Sequence, residues 1–385
     1  MIAKADIMSR VREWRLRENV VEKDYVIGWV LWGIGTDPRL SENWAFKGGT
    51  CLKKCYIETY RFSEDLDFTI LPEGLMDLSD LRRVLQDVLD RINQESGIDF
   101  SRREPRLRLR PDGTSLQGRI YYTGPLDAPQ VASLKLDLTI AETVAHPTVL
   151  RNIDHQYPDK LPPPATVRCY GFEEVFAEKL RAMGQRSRPR DLYDIVNLFR
   201  RGNFLPHWEL INSLYREKCR SKGLEVYDFS SLERSPFRTQ LESEWSNMLA
   251  HQLPPLPPFQ EFWEQLPKLF AWLNQGVPPT GLPLVSVADS EEETWVPPST
   301  AWVWGQGIPL EPVGFAAVNH LCVELGYQGS VRIIEPYSLR RTRAGNLLLY
   351  GVRIDNLETC SYRVDRITSV KVTSRPFSPR YRVEM

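Results

Sequence analysis

The sequence predicts an α+β protein of several domains, with a mixed helix-and-strand region first, a helical region second and a small β-rich region last. The chain has 385 residues, which is too many for one ordinary hydrophobic core. Its apolar pattern mixes helical and strand spacing to about residue 165, becomes helical to about 275, and returns to short strands near the C-terminus. Proline-rich segments separate these three stretches.

The first domain is predicted to span residues 1–165 and to end near Pro162-Pro163-Pro164. Residues 7–35 have helical spacing, and Leu78 to Ile92 form an amphipathic pattern that Asp77 or Ser79 can cap. Four segments with strand composition are Leu66–Leu71, Arg106–Arg110, Gly118–Thr123 and Ser133–Ile140.

Three further segments complete the predicted organisation. Residues 166–275 form a helical domain whose clearest elements are Phe172–Met183, Asp191–Arg200 and Phe259–Leu273. Residues 276–312 have the proline-rich, acidic composition of a linker. Residues 313–385 are predicted to begin with a helix, Val313–Leu325, and to continue as short strands.

Composition narrows the function classes. Lys and Arg number 49 against 50 Asp and Glu, so the net charge of −1 excludes a uniformly basic nucleic-acid binder but permits local basic patches. No apolar run is long enough to span a bilayer and the N-terminus lacks a secretory core, so we expect a cytosolic protein. The six cysteines and five histidines are scattered without a CxxC pair, which gives little support for disulfides or zinc.

The most informative residues lie near the N-terminus. Phe46-Lys47-Gly48-Gly49-Thr50 predicts a glycine turn that opens a helix, and Asp65 and Asp67 follow on a predicted strand. Alternate strand residues share a face, so the two carboxylates lie together and favour a Mg²⁺ ion between them. A glycine turn beside them lets backbone N–H groups approach phosphates, which predicts a nucleotidyl-transfer site. Alternatively, the two aspartates are solvated and Thr50 is only a helix cap.

Three more residues are candidates for the same site. Asp137 alternates with apolar residues on its predicted strand and can supply a third carboxylate, although outward aspartates are common on such strands. Lys179 lies beside an apolar helix stripe and can reach triphosphate oxygens. Asp191 lies about one helical turn before Asp194, and an exposed helix pair held by ion pairs explains these charges as well.

The blocks Phe46–Thr50, Arg61–Phe68, Glu178–Ala182 and Arg190–Asp194 together resemble the AbiEii-type nucleotidyltransferase toxins, which are bacterial phage-defence or toxin–antitoxin toxins. The resemblance covers roughly residues 15–205 and implies a polymerase-β-like fold, an NTP donor, Mg²⁺ or Mn²⁺, and a possible antitoxin. It implies that Gly48, Gly49, Thr50 and Lys179 bind nucleotide, that Asp65, Asp67 and Asp137 bind metal, and that Asp191 is essential. Relatives act on tRNA ends, which makes tRNA the expected acceptor.

Arginines alternate along one predicted strand, at Arg106, Arg108 and Arg110. Such a strand can grip an RNA backbone, and a solvated strand face explains the pattern equally well.

The C-terminal segment resembles a WYL domain, a small Sm-like β-barrel found in bacterial defence regulators. Flanking blocks match, but Leu347-Leu348-Leu349 stands where the naming aromatic residues are expected. The resemblance implies a sensor of a nucleotide or of single-stranded nucleic acid, with Tyr337, Arg340, Arg341, Arg363 and Arg366 as its ligand-binding residues. A structural barrel whose arginines pair with acids is the alternative. The sequence as a whole predicts a nucleotidyltransferase, and its main rival is a non-catalytic regulator that binds through this domain.

Overall fold

The computed structural model describes residues 1–57, 61–72, 74, 77–140, 142–200, 207–234, 236–253, 255–277, 281–285, 293–294 and 310–385. The chain divides into two compact units, of which the first comprises Met1–Gln185 with Leu210–Val226, and the second Arg186–Glu209 with Tyr227–Met385. Most of the predicted linker, 276–312, lies outside the described residues. In the described part of the chain, no helix has both the length and the apolar character to cross a bilayer.

The first unit is built on a seven-stranded mixed sheet. Its helices are α1 (Lys4–Trp14), α2 (Glu18–Thr36), α3 (Pro38–Ser41), α4 (Gly48–Cys51), α5 (Leu78–Ser96) and α6 (Phe172–Arg186). Its strands are β1 (Trp44–Lys47), β2 (Asp65–Ile70), β3 (Arg106–Leu109), β4 (Ser115–Tyr122), β5 (Ala132–Thr139), β6 (Val149–Asn152) and β7 (Thr166–Cys169). The strand order is β3-β4-β5-β2-β1-β7-β6, with β2·β5 and β1·β7 parallel and the other pairs antiparallel.

Sequence alternation fixes which face of this sheet is buried. Leu66 and Phe68 on β2 are fully buried in the same core cluster as Leu136 and Leu138 on β5. That core also takes the apolar stripe of α5 and most of α2. Because side chains alternate along a strand, the polar residues of β2 and β5 occupy the opposite face.

Local signals set the ends of α5, the most regular predicted helix. The Asp77 carboxylate accepts hydrogen bonds from the backbone N–H groups of Ser79 and Asp80, which confirms the predicted cap. Gly97 ends the helix with φ +75°. By contrast, the helix predicted from Cys51 onward is α4 followed directly by a π-helix at Leu52–Tyr56.

The second unit combines helices with a second sheet. Its elements are α7 (Pro189–Arg200), the start of α8 (Trp208–Ser221), α9 (Phe229–Arg234), α10 (Phe237–Leu249), α11 (Phe259–Trp263), α12 (Leu266–Gln275), β8 (Glu293–Thr294), α13 (Glu311–Val318), β9 (Leu321–Tyr327), β10 (Ser330–Arg341), β11 (Leu347–Arg353), β12 (Thr359–Arg363) and β13 (Ile367–Pro376). The strand order is β12-β11-β10-β9-β13, and β8 also pairs with β10.

Two predictions for the second unit need correction. The predicted Sm-like barrel is not closed: among the described strands β12 and β13 are the two ends of the sheet and do not pair with each other. The predicted helix Val313–Leu325 is wrong in its second half, because α13 ends at Val318 and His320 takes a left-handed φ of 54°. The apolar residues from Leu321 onward then pair with β10 and β13 as a strand.

Candidate active site

The acidic residues predicted from the sequence come together on the polar face of the first sheet. Asp67 on β2 is the register partner of Asp137 on the parallel strand β5. Two residues earlier, Asp65 is the register partner of Lys135. Register partners and alternate residues share a face, so all four side chains lie side by side.

The glycine turn after β1 lies directly against this cluster. Gly48 has φ +80°, a left-handed conformation that glycine adopts without strain. A Cβ atom there would lie 2.6 Å from Oδ2 of Asp67, and one at Gly49 would lie 2.7 Å from Nη2 of Arg61. Neither position has room for a side chain, because the start of α4 closely approaches Asp67 and Arg61.

Thr50 attaches the turn to the acidic strand. Its side chain is 1% exposed, and its hydroxyl donates a hydrogen bond to the backbone carbonyl of Asp65. This bond fixes the start of α4 on β2. The phosphate-binding role of Gly48, Gly49 and Thr50 stays a prediction, and for Thr50 the backbone N–H is the group left to play it.

Burial and the neighbouring charges perturb the Asp67 carboxyl. Burial raises the pKa of Asp67 to about 6, the Asp65 and Asp137 carboxylates add to the rise, and Lys47 and Lys135 oppose it. Burial acts to lower the pKa of Lys135, but its ion pair with Asp137 and the charge of Asp65 raise that pKa above its ordinary value. The cluster thus favours added positive charge.

The donor chemistry of the cluster suits a divalent cation. Carboxylate oxygens are the ligands that Mg²⁺ and Mn²⁺ prefer, and Oδ1 of Asp137 is buried without a hydrogen-bond partner. The Lys135 ammonium is ion-paired with Asp137 and lies 4.0 Å from Oδ2 of Asp65, where it supplies part of the missing charge. Among the described residues, the group whose ligand atoms all lie within 4.8 Å of one another does not include these aspartates. The three carboxylates are therefore more widely spaced than the ligands of a preformed metal site. A metal ion would replace the Lys135 ammonium as counter-charge.

Lys47 is a member of the cluster for which the sequence pattern predicts no role. It is 6% exposed, is the register partner of Asp67, and ion-pairs with Glu142. Its ammonium also lies 3.9 Å from Oε1 of Glu178. Burial acts to lower the pKa of Lys47, but Glu178, Glu142 and Asp67 together raise it, so the lysine stays charged. Its position immediately before Gly48 was the available signal.

Lys179 lies on α6, next to Glu178. The lysine is 7% exposed, and its charge is among those that hold the pKa of Glu178 below its ordinary value against the effect of burial, after Lys47, Lys218 and Arg181. Through Glu178, α6 contacts Lys47 at the edge of the acidic cluster. The nucleotide-binding role of Lys179 itself stays a prediction.

Asp191 belongs to the second compact unit. It is fully buried near the start of α7, and its two carboxylate oxygens accept hydrogen bonds from Nε and Nη2 of Arg186 at 2.7 and 2.9 Å. This geometry is a charged, bidentate pair within that unit. Its predicted catalytic role stays a prediction.

A basic row continues the acidic face across the sheet. Arg106 on β3 is the register partner of Arg119 on β4, and Arg119 is the register partner of Lys135. Arg108 occupies the next same-face position of β3, and all three arginines are exposed. The arginine strand noted in the sequence therefore lies on the same face as the acidic cluster.

Three of the five C-terminal residues predicted to sense a ligand have side-chain partners within their own unit. Tyr337 is fully buried and donates to Glu335 at 2.8 Å, and Arg340 is 2% exposed and donates to Glu384 at 3.1 Å. Arg363 ion-pairs with Asp365 at 2.7 Å, whereas Arg341 and Arg366 are exposed. Their ligand-sensing role stays a prediction.

Comparison with known proteins gives one family. Residues 29–266 match the family model described as the nucleotidyl transferase AbiEii toxin of a type IV toxin–antitoxin system. Among solved structures, MenT4, a nucleotidyltransferase toxin from Mycobacterium tuberculosis H37Rv, is similar at 22% identity and a TM-score of 0.48, over 71% of this chain and 90% of that one. A search of curated proteins finds no match.

Proposed function

Because the chain belongs to the AbiEii nucleotidyltransferase toxin family, we propose that it moves a nucleoside monophosphate from an NTP to an RNA hydroxyl, with Mg²⁺ or Mn²⁺ as cofactor. The family itself makes the chain an NTP-using nucleotidyltransferase toxin, so a non-catalytic regulator is not carried further. The single observation that carries the proposal is the contact of the Gly48 turn with Asp67, in register with Asp137.

The proposed roles follow from these positions. Asp65, Asp67 and Asp137 would hold the metal ion, which when bound supplies charge stabilisation on the triphosphate and activation of the attacking hydroxyl. The backbone of Gly48, Gly49 and Thr50 would bind phosphate oxygens. We propose that Lys179 contacts the nucleotide and that Asp191 is the essential acidic residue of the last family motif. Lys47 would position Asp67 and keep it ionised while the metal ion is absent.

The basic row supports RNA as the acceptor. Arg106, Arg108 and Arg119 are exposed on the face that carries the acids, and Arg103 lies over the ring of Tyr121 at 4.1 Å. Arginines of this kind bind phosphates and orient a polynucleotide without reading its sequence. We propose the 3′ end of tRNA, which the family resemblance makes the leading acceptor, as the hydroxyl that is presented to the acids.

Two partners complete the proposal. The family description places its members in type IV toxin–antitoxin systems, so we propose that an antitoxin protein counteracts this chain in the cell. A cytosolic location, where NTPs and tRNA are available, is proposed with it. A role in phage defence would follow from the same activity.

The decisive experiment measures label transfer by the full chain. Each NTP, labelled at the α-phosphate, is incubated with the protein, tRNA and either Mg²⁺ or a chelator. We expect label on the RNA only with Mg²⁺ or Mn²⁺, no label on tRNA whose 3′ end has been oxidised with periodate, and a loss of at least about 100-fold in Asp65→Asn.

The matched control is Asp90→Asn, an exposed carboxylate on α5 away from the cluster. It should transfer label like the wild-type chain. Equal transfer by Asp65→Asn and wild type, or full transfer in the chelator, would contradict the proposed metal centre. Label on protein instead of RNA would contradict the proposed acceptor alone.

A further inference from the structure

Three cysteines that are scattered in the sequence meet behind the glycine turn. Cys51 is the last residue of α4, Cys55 lies on the π-helix, and Cys169 ends β7. Their Sγ atoms all lie within 4.8 Å of one another. The parallel pairing of β1 with β7, at Phe46 and Cys169, brings the distant third cysteine to the other two.

The chemistry of this triad differs from that of the acidic cluster. Cys51 and Cys169 are fully buried, and the Cys55 residue is half-buried. Thiolates select soft cations such as Cu⁺ and Zn²⁺, whereas Mg²⁺ prefers oxygen. Three protein ligands at this spacing match the number in open zinc sites, which keep a position for an external ligand.

Burial raises the pKa of all three thiols well above the ordinary cysteine value, and two nearby cations oppose that rise. The Arg151 guanidinium lies over the ring of Tyr56 at 4.4 Å, and its charge acts on Cys51 and Cys169. The Lys54 ammonium, which ion-pairs with Asp24 at 2.7 Å, acts on Cys55 in the same sense. Because the fold favours the protonated thiols, a cation binds here by displacing their protons, which soft cations with high thiolate affinity do.

We propose that Cys51, Cys55 and Cys169 form a binding site for one thiophilic d¹⁰ cation, separate from the acidic site. Each thiol loses its proton to solvent and each sulfur binds the cation, so the step needs no oxidant. The bound cation links α4, the π-helix and β7. Since α4 carries the glycine turn, the site would stiffen the elements that hold Gly48 against Asp67.

The test measures metal binding by the reduced full-length chain. Protein stripped with a chelator is titrated with Zn²⁺ alone and, separately, with Cd²⁺, whose thiolate complexes have a charge-transfer absorption. We expect one tight equivalent of either ion, the thiolate absorption with Cd²⁺, and a rise of about 4 °C in the thermal midpoint with Zn²⁺.

Variants separate this site from other sources of binding. Cys55→Ser changes the half-buried member and should weaken Zn²⁺ binding at least 10-fold, as should Cys169→Ser. Cys219→Ser, at a buried cysteine of the same unit outside the triad, should bind like the wild-type chain. Because a buried variant can fail to fold, each is checked by its far-UV spectrum, and the Cd²⁺ absorption of the unmutated chain stands independently.

Several results would overturn the proposal. They are no uptake by the reduced wild-type chain, unchanged uptake in Cys55→Ser, or loss of uptake in Asp65→Asn, which would assign the ion to the acidic site. The proposal would also be overturned if two of the three cysteines are found as a disulfide and the protein takes up no metal after that disulfide is reduced. None of these readouts depends on nucleotidyl transfer.

Discussion

Charged residues are arranged differently on the two sheets of this protein. On the first sheet, Asp65, Asp67 and Asp137 crowd one face, and a buried oxygen of Asp137 has no hydrogen-bond partner. On the second sheet, Tyr337 donates to Glu335, and Arg340 to Glu384.

The difference teaches where to look for chemistry. A folded chain usually pairs its buried polar groups, so carboxylates left crowded mark a place where a ligand supplies the missing charge. Arginines that are numerous but paired internally indicate stability of the local fold. Arginine content predicted a binding site on the second sheet, whereas the crowding of like-charged carboxylates marks the first sheet.

The largest effect is expected at Asp67. Asp67→Asn should lower transfer by at least about 100-fold, because the variant loses a carboxylate that we propose binds the metal ion. The same change should stabilise the metal-free protein above pH 6, since the raised pKa of about 6 means that the folded state holds the ionised carboxylate unfavourably.

The sign of this pH dependence is fixed by linkage. Between pH 3.8, the ordinary pKa of an aspartate, and about pH 6, the folded chain binds a proton at Asp67 that the unfolded chain does not. The stability gain of the variant should therefore be complete above pH 6 and disappear towards pH 4, as measured by urea unfolding in chelator. Asp90→Asn should show no such gain, and a variant less stable than wild type at pH 7 would break the comparison.

The next effect is expected at Lys47. Lys47→Met leaves Glu142 and Glu178 without their buried cation, which should cost about 3 kcal/mol of unfolding free energy. Transfer should also fall about 10-fold to 100-fold, as for loss of a group that orients a metal ligand.

A second substitution separates these two consequences of losing Lys47. Adding Glu142→Gln to Lys47→Met should recover part of the stability but not the activity. Denaturant midpoints and initial transfer rates, measured on the same samples, give both numbers. Recovery of full activity in the double variant would show that Lys47 acts only through stability.

A smaller effect is expected at the paired residues of the second sheet. Arg340→Met should cost about 2 kcal/mol, because Glu384 loses a charged hydrogen bond and the guanidinium lies 5.3 Å from the Tyr350 ring. Transfer should stay within about twofold of wild type. Glu384→Gln completes a double-mutant cycle by urea unfolding, and a selective loss of transfer at unchanged stability would contradict a structural role.

The smallest effect is expected on the basic row. Arg106→Gln or Arg108→Gln should raise KM for tRNA about threefold without changing KM for the NTP, since each removes one phosphate contact. The slope of log KM against log salt should fall by about one. Arg83→Gln, an exposed arginine on α5, is the control, and equal effects in all three variants would remove the row from the acceptor site.

Much of the candidate site could be predicted because its information is local. Alternation on a strand places Asp65 and Asp67 on one face, and an alternating strand elsewhere supplies Asp137. Lys47 belongs to the same block, but its role depends on contacts with Glu142 and Glu178, which are distant in sequence and close only in the fold. The sequence neighbours of a buried charge do not identify its partners in the fold.

The errors have a physical cause as well. The apolar run after Val313 suits a helix or a buried strand, and His320 decides where one gives way to the other. Strand β7 has four residues, which is too few for a recognisable strand pattern, so the sequence does not indicate that Cys169 lies beside Cys51. Barrel closure depends on pairing between distant strands, which no local pattern encodes.

The parallel pairing of β2 with β5 has a consequence for how such a toxin is made. The two strands are joined through α5 and the β3–β4 hairpin, so the acids meet only after residue 139 has been synthesised. Lys47 gains its partner Glu178 only after α6 has been synthesised. A nascent or truncated polypeptide that stops short of these positions lacks the assembled acidic face, so we expect it to have no transfer activity.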